Sequence, residues 1–281
     1  MDSIRRFLFK ELNIRGQHIQ LDNQWQAMIV ERHYPKVICS LLGQLTAITT
    51  MLASGLKHDG KVTVQIQGSG PVNLLVVEAT NQLNIKGVAK TNGEISETAS
   101  LDELLGDGKI LVTLENKVTD TMFQSYVPRE ENSVAKIFES FLTQSDQLPS
   151  KLWLAADEQG IGGVLIQKLP ATDNIDEDGW NRVEILSDTL TDTEIITLDS
   201  ERLIHTLFHE ELIELFENQP VQYHCPKDNT KVEAMLLSLG KEECLNIIEE
   251  QGEIVIHNEM CNFHARFNKK DIKKLFKTDS L

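Results

Sequence analysis

The chain has 281 residues, 41% of them hydrophobic, which supports a folded core and excludes global disorder. Lys and Arg number 27 against 43 Asp and Glu, and the net charge of −16 argues against nucleic-acid and membrane partners, whose phosphates it repels. The same charge keeps a protein soluble while it exposes apolar surface.

Arg5 and Arg6 precede only a short apolar stretch before Lys10 and Glu11, so no signal-peptide hydrophobic region is read and a cytoplasmic protein is expected. The uncharged run 37–56 has the length of a membrane span. Ser40, Gln44, Thr46, Thr49 and Thr50 interrupt it, while Val37, Leu41, Leu45, Ile48, Leu52 and Leu56 share one helical face, so it reads as a buried core helix. After His58-Asp59-Gly60, residues 61–67 alternate apolar and polar as a strand buried on one face. Gly68-Ser69-Gly70-Pro71 turns the chain into 72–79, and 82–89 supplies a third strand of an antiparallel meander. A further strand is predicted at 109–115. Val134, Ile137, Phe138, Phe141 and Leu142 mark an amphipathic helix capped by Asn132 or Ser133. Residues 151–156 and 163–169 form a second strand pair. The fold class read from this order is α+β, with a mixed antiparallel-sheet core domain over 1–172.

The acidic run 173–178 cannot pack and reads as the start of a helical linker over 173–219. Its helices are broken by Thr and Asp clusters, and apolar positions including Ile185, Leu186, Leu190, Leu203, Leu207 and Phe208 need another surface to bury against. A small α/β tail follows over 220–281, with a strand near 221–223, helices at 231–239 and 241–249 and a strand at 253–257.

Catalytic signatures are absent. Gly68-Ser69-Gly70 lacks the third glycine and the Lys-Ser or Lys-Thr of a phosphate loop. His205 and His209, four apart with Glu210 adjacent, could face one metal, but they do not form the HExxH of zinc proteases. A thiol or metal-dependent enzyme built on them is the weakest reading, and a non-enzyme is expected. The four cysteines form no CxC or CxxC pair; Cys39 and Cys244 lie in helical patterns as inert thiols. In the tail, a tetrahedral zinc site would draw on Cys225, Cys261 and His264 with either His257 or His224. The alternative is a metal-free tail packed on Val232, Met235, Leu236, Leu239, Leu245 and Ile248, with no cofactor at all.

Several collinear segments carry a resemblance. They are RRFLFKELNIRG at 5–16, LKHDGKVTVQIQGSGPVNLLVVEA at 56–79 running to NIKGVAK, SDQLPS at 145–150, GGVLIQKLP at 162–170, LIHTLFHEE at 203–211 and LLSLGKEE at 236–243, which leads into GEIVIH and RFN. Over nearly its whole length the chain resembles the redox-regulated heat-shock holdase family, the thirty-three-kilodalton chaperonin. The resemblance implies an α+β core, a helical linker and a small zinc domain. It also implies ATP-independent binding of unfolding client proteins under stress. Its switch is a CxC and a CxxC that hold zinc through four thiolates; oxidation pairs the thiols, releases zinc and unfolds tail and linker. Here Cys225 and Cys261 match the first and fourth cysteines, but Lys227 and Asn258 stand at the second and third. Neither within-pair disulfide can form, so zinc and redox control are expected to be weakened or lost. The family fold brings Cys225 and Cys261 to one site, which leaves a disulfide between them as a residual switch. The client surface is expected to include Ile185, Leu186, Leu190, Leu203, Leu207 and Phe208. A specialised interaction module of the same fold is the alternative function, and a homodimer stays open.

Overall fold

Period-two alternation and one apolar helix organise a first unit, Met1–His224; a second unit spans Cys225–Leu281. The computed structural model describes residues 2–170, 176, 178–226 and 229–278. The first unit runs β1 (Ser3–Phe9), β2 (Ile14–Leu21), α1 (Asn23–Ile29), α2 (Lys36–Ser54), β3 (Gly60–Gln67), β4 (Val72–Thr80), β5 (Asn84–Thr91), α3 (Leu101–Leu105), β6 (Lys109–Asn116), β7 (Thr121–Val127), α4 (Val134–Asp146), β8 (Ser150–Ala156), β9 (Ile161–Lys168), α5 (Gly179–Ser187), α6 (Asp192–Thr197), α7 (Ser200–Phe208), β10 (Ile213–Leu215), β11 (Gln219–Pro220) and β12 (Gln222–Tyr223). The second holds α8 (Thr230–Leu239), α9 (Lys241–Gln251), β13 (Ile254–Asn258), β14 (Phe263–Phe267) and α10 (Lys269–Thr278).

Two sheets form the first unit. One has the order β10-β1-β2-β9-β8, with β11 also on β1; the other has the order β12-β5-β4-β3-β6-β7. The expected meander is β3-β4-β5, antiparallel throughout. Helix α2 contacts strands of both sheets. Although it is long and apolar enough to span a bilayer, 78% of its apolar window is buried inside the protein. Burial on nearly all sides explains why Thr46, Thr49 and Thr50 do no harm: each hydroxyl donates to the carbonyl four residues back, so no buried polar group is left open.

The first sheet is buried on both faces. Its second face carries Phe7, Phe9, Ile14, Val164 and Ile166, covered by Val183 of α5 and by Leu203, Ile204, Leu207 and Phe208 of α7. This double burial matches the nearly unbroken apolar run of β9. The segment expected as a linker therefore packs, where described, within the first unit. Residues 173–175 and 177 of the acidic run, and the expected boundary at 172, lie outside the described residues.

Five strands of this unit are missing from the sequence pattern: β10, inside the stretch expected as a helical linker, and β11, at its end, both of which pair with β1; and β1, β2 and β7. β1 and β2 carry Arg5, Arg6 and Arg15 among their apolar residues, and β7 is exposed at every position before Val127, so none alternates cleanly. In the tail, 263–267 is a further strand paired with β13, and 269–278 a further helix. Both extend the expected helix–helix–strand order and close a small core of Leu236, Cys244, Ile248, Ile254, Ala265, Phe267 and Ile272.

Candidate functional site: a latent apolar layer and a cysteine clasp

Two of the three short helices, α6 and α7, are placed by side-chain caps. The Thr and Asp clusters that break the helical pattern are N-caps: Thr191 and Glu194 form a capping box on α6, and Asp199 accepts from the Arg202 N–H on α7. Capping orients α7 so that its apolar stripe faces the sheet. Leu203, Leu207 and Phe208 are buried there, with the Phe208 ring edge-on to Phe9 at 5.0 Å. Leu186 and Leu190 are half-buried against the same layer, whereas Ile185 is 57% exposed. Of the six expected client-binding residues, only Ile185 is thus open to solvent in this conformation. Ion pairs rim the layer: Arg5 to Glu201 at 2.7 Å, Lys151 to Glu184 at 2.7 Å and Arg182 to Glu211 at 2.6 Å. Each pair keeps at least one partner more than a quarter open to solvent, which limits its contribution, so apolar contact dominates the docking.

Sequence reading gives no hint of His18. It is fully buried on β2, with Nδ1 2.8 Å from Ser200 Oγ in the first turn of α7, while Nε2 has no partner. Burial lowers its pKa to about 4, although nearby Asp199 pulls the other way. Arg5 stands opposite in register on β1. Above pH 6.5 the imidazole is neutral folded or unfolded, and the layer keeps its full stability. As the pH falls from 6.5 toward 4, unfolded chains take up a proton that the folded form refuses, and up to about 3 kcal/mol is lost. Denaturant titrations followed by tryptophan fluorescence, which reports only on the first unit, should show this loss, and His18→Gln should flatten it.

Cys225 opens the second unit, and Cys261 lies in the turn between β13 and β14. Asn258 Oδ1 accepts from the Cys261 N–H at 3.1 Å, and Asn262 adopts the left-handed conformation at φ 47°. Asn258 thus shapes the turn that presents Cys261. The two sulfurs form a disulfide between α-carbons 5.4 Å apart and 36 residues apart in sequence. His264 does not join them in a metal-binding group. It faces His257 across the β13–β14 ladder with the rings stacked at 4.4 Å, and His257 contacts Asn262. The His224 N–H is tied to Ile85 of β5 in the first unit. Disulfide sulfurs offer zinc no thiolate, so in this form Cys225, Cys261 and His264 do not fit the ion. Among the described residues no three His, Cys, Asp or Glu side chains group as metal ligands. Lys227 lies outside them.

The remaining candidates stay separate. His205 and His209 are exposed at the end of α7, with His209 4.0 Å from Glu210. Cys39 and Cys244 are free and buried; burial pushes the Cys39 thiol up to about 11 and raises that of Cys244.

Residues 2–268 match the protein family described as Hsp33 protein. The 33 kDa chaperonin of Methylobacillus flagellatus is 37% identical over 280 residues, covering 99% of this chain and 95% of that one. That of Nitrosococcus oceani is 36% identical over 275 residues, covering 98% and 94%. The crystal structure of the 33 kDa chaperonin from Thermotoga maritima, 18% identical, shares the fold with a TM-score of 0.81 over 100% of both chains. The α+β layers, the covered apolar face and the end-to-end sequence match lead to one assignment: the chain belongs to the Hsp33 family.

Proposed function

We propose that this protein is an ATP-independent holdase that binds unfolding polypeptides in the cytoplasm, without catalysis and without zinc. The observation that carries this reading is the layer of α5 and α7 over the first sheet. Two apolar surfaces are stored face to face, and separating them would expose Leu203, Leu207 and Phe208 on one side and Phe7, Phe9 and Val164 on the other. Binding of this kind needs no nucleotide and no reacting side chain, only apolar area uncovered when clients unfold. The charge of −16 would keep the opened form soluble.

Control through zinc has too few thiols in this chain, so the Cys225–Cys261 pair is left as the one thiol control. Metal analysis of the reduced protein, paired with light scattering from a heat-unfolded client, tests both statements. The expected result is far less than one zinc per chain and suppression of aggregation that needs no ATP. Stoichiometric zinc would overturn the metal-free reading. Absence of suppression at stoichiometric excess, hot or oxidised, would overturn the holdase reading.

A further inference from the structure

The first unit carries a second apolar surface, distinct from the stored layer and already open. β7 is an edge strand, paired with β6 on one side only. Its sequence, Thr-Met-Phe-Gln-Ser-Tyr-Val, has no charge, proline or glycine, and its two faces are both open: Phe123 is 65% exposed on one, Met122 and Tyr126 60% and 70% on the other. Folded proteins ordinarily protect such an edge with lysine, proline or a bulge, because its free N–H and C=O groups recruit another strand.

One face of β7 continues into a cleft of about 970 Å³ between the two sheets. Phe123 stands there beside its cross-strand neighbour Leu114, with Phe141 and Phe216 also on the wall. Three cations line the same cleft: Arg6, Arg15 and Lys57. In a chain with 43 carboxylates and 27 cations, these three form no ion pair among the described residues. Arg6 donates to the Ser54 carbonyl and Arg15 to the Gln167 side chain at 2.8 Å. The two carboxylates of the lining are Asp146 and Glu217, and Asp146 accepts from Gln167. The cleft therefore offers apolar walls, a bare strand edge and three cations against two carboxylates, none of them joined in an ion pair among the described residues.

We infer that the β7 edge and this cleft form a docking site for an extended client segment that alternates apolar residues with Asp or Glu. Main-chain hydrogen bonds to β7 hold the segment in extended form, as in other cases of strand addition. Its apolar side chains enter the cleft, and its carboxylates reach Arg6, Arg15 and Lys57. The distant charges of the protein do not prevent this, because at about 0.15 M salt they are screened beyond roughly 8 Å. A second copy of this chain fits less well, since its own β7 edge, Thr-Met-Phe-Gln-Ser-Tyr-Val, brings no carboxylate to the three cations. The inference rests on the holdase reading and names the class of segment that such a protein takes.

The test is fluorescence polarisation on the full chain, using labelled peptides of alternating leucine and glutamate or of alternating leucine and lysine. The glutamate peptide should bind about tenfold tighter at 0.15 M salt. Met122→Ser, Phe123→Ser and Tyr126→Ser together, all at exposed positions, should weaken it about tenfold with the melting temperature unchanged. Arg15→Gln with Lys57→Gln should abolish the preference for glutamate. Equal binding of the two peptides, or full affinity in the serine variant, would overturn the site. So would a wild-type dimer that the serine variant splits while its peptide affinity is unchanged, since the edge would then belong to a second copy. Client aggregation, followed in parallel on the wild type, separates the two readings. Suppression without peptide discrimination removes the docking site and keeps the holdase; peptide discrimination without suppression does the reverse.

Discussion

Treatment with a dithiol reductant is expected to unfold the second unit and to leave the first intact. The Cys225–Cys261 bond closes a loop across a separation of 36 residues that contains α8, α9 and β13. Removing such a cross-link restores chain entropy to the unfolded state worth about 4 kcal/mol. A domain of this size draws no more than about 3–5 kcal/mol from its core, so the loss is comparable with the whole stability of the tail. The chemistry is ordinary exchange: one reductant thiolate attacks a sulfur, and its second thiol resolves the mixed disulfide. Two protein thiols and one oxidised reductant result. Oxidation here would then clasp the tail, opposite to the unfolding on oxidation that the family resemblance implies. The readout must be chosen with care, because Trp25, Trp153 and Trp180 and all three tyrosines lie in the first unit. Hydrogen exchange over 254–267 should rise on reduction, and Cys225→Ser should reproduce the rise while tryptophan fluorescence stays constant. Unchanged exchange would mean that packing around Leu236, Ile248 and Phe267 suffices without the bond.

What could be read in the sequence was what burial writes as a simple period. The meander 61–89 shows as alternation, α4 as an apolar stripe, and β9 as an apolar run because helices cover one face and α2 the other. β2 was not legible, since on the face it turns toward the linker helices only Ile14 is large and apolar, and Gly16, His18 and Gln20 follow it. Gly16 is there because a Cβ would meet the Phe7 ring at 2.1 Å, and His18 because Ser200 bonds it; neither reason is local in sequence. The client-surface positions were legible as apolar residues seeking a partner, but not the face that receives them. Spacing brought Cys225 and Cys261 together only as zinc ligands, and their disulfide came only through the family resemblance. The part of Asn258 in shaping the Cys261 turn depends on a hydrogen bond that no spacing reveals.

Releasing the stored layer is expected to give a holdase that works without stress, and two substitutions approach it from opposite directions. Phe208→Ala empties a site that is 2% exposed and packed edge-on to Phe9, costing about 4 kcal/mol. That lowers the cost of lifting α7, whose remaining anchors are Leu203, Ile204 and Leu207, the ion pair of Glu201 to Arg5 and the Ser200 contact. The variant also removes a residue of the expected client surface, so its activity alone is ambiguous. Gly162→Ala avoids the ambiguity. A Cβ on Gly162 would lie 2.0 Å from the Ile195 carbonyl oxygen, and its other close atoms also belong to Ile195. To admit the methyl group α6 must lift away, at a cost of about 2 kcal/mol and with every client-facing side chain retained. Both variants should bind more of an apolar dye and suppress client aggregation at a temperature where the wild type is idle. Trp180 on α5 and Trp153, which donates to Asp188 at 3.1 Å, should report the release in fluorescence. A fluorescence change without gain of activity in Gly162→Ala would place the client surface away from this layer. Activation in Gly162→Ala with weaker activation in Phe208→Ala would mark the Phe208 ring itself as part of the surface that holds clients.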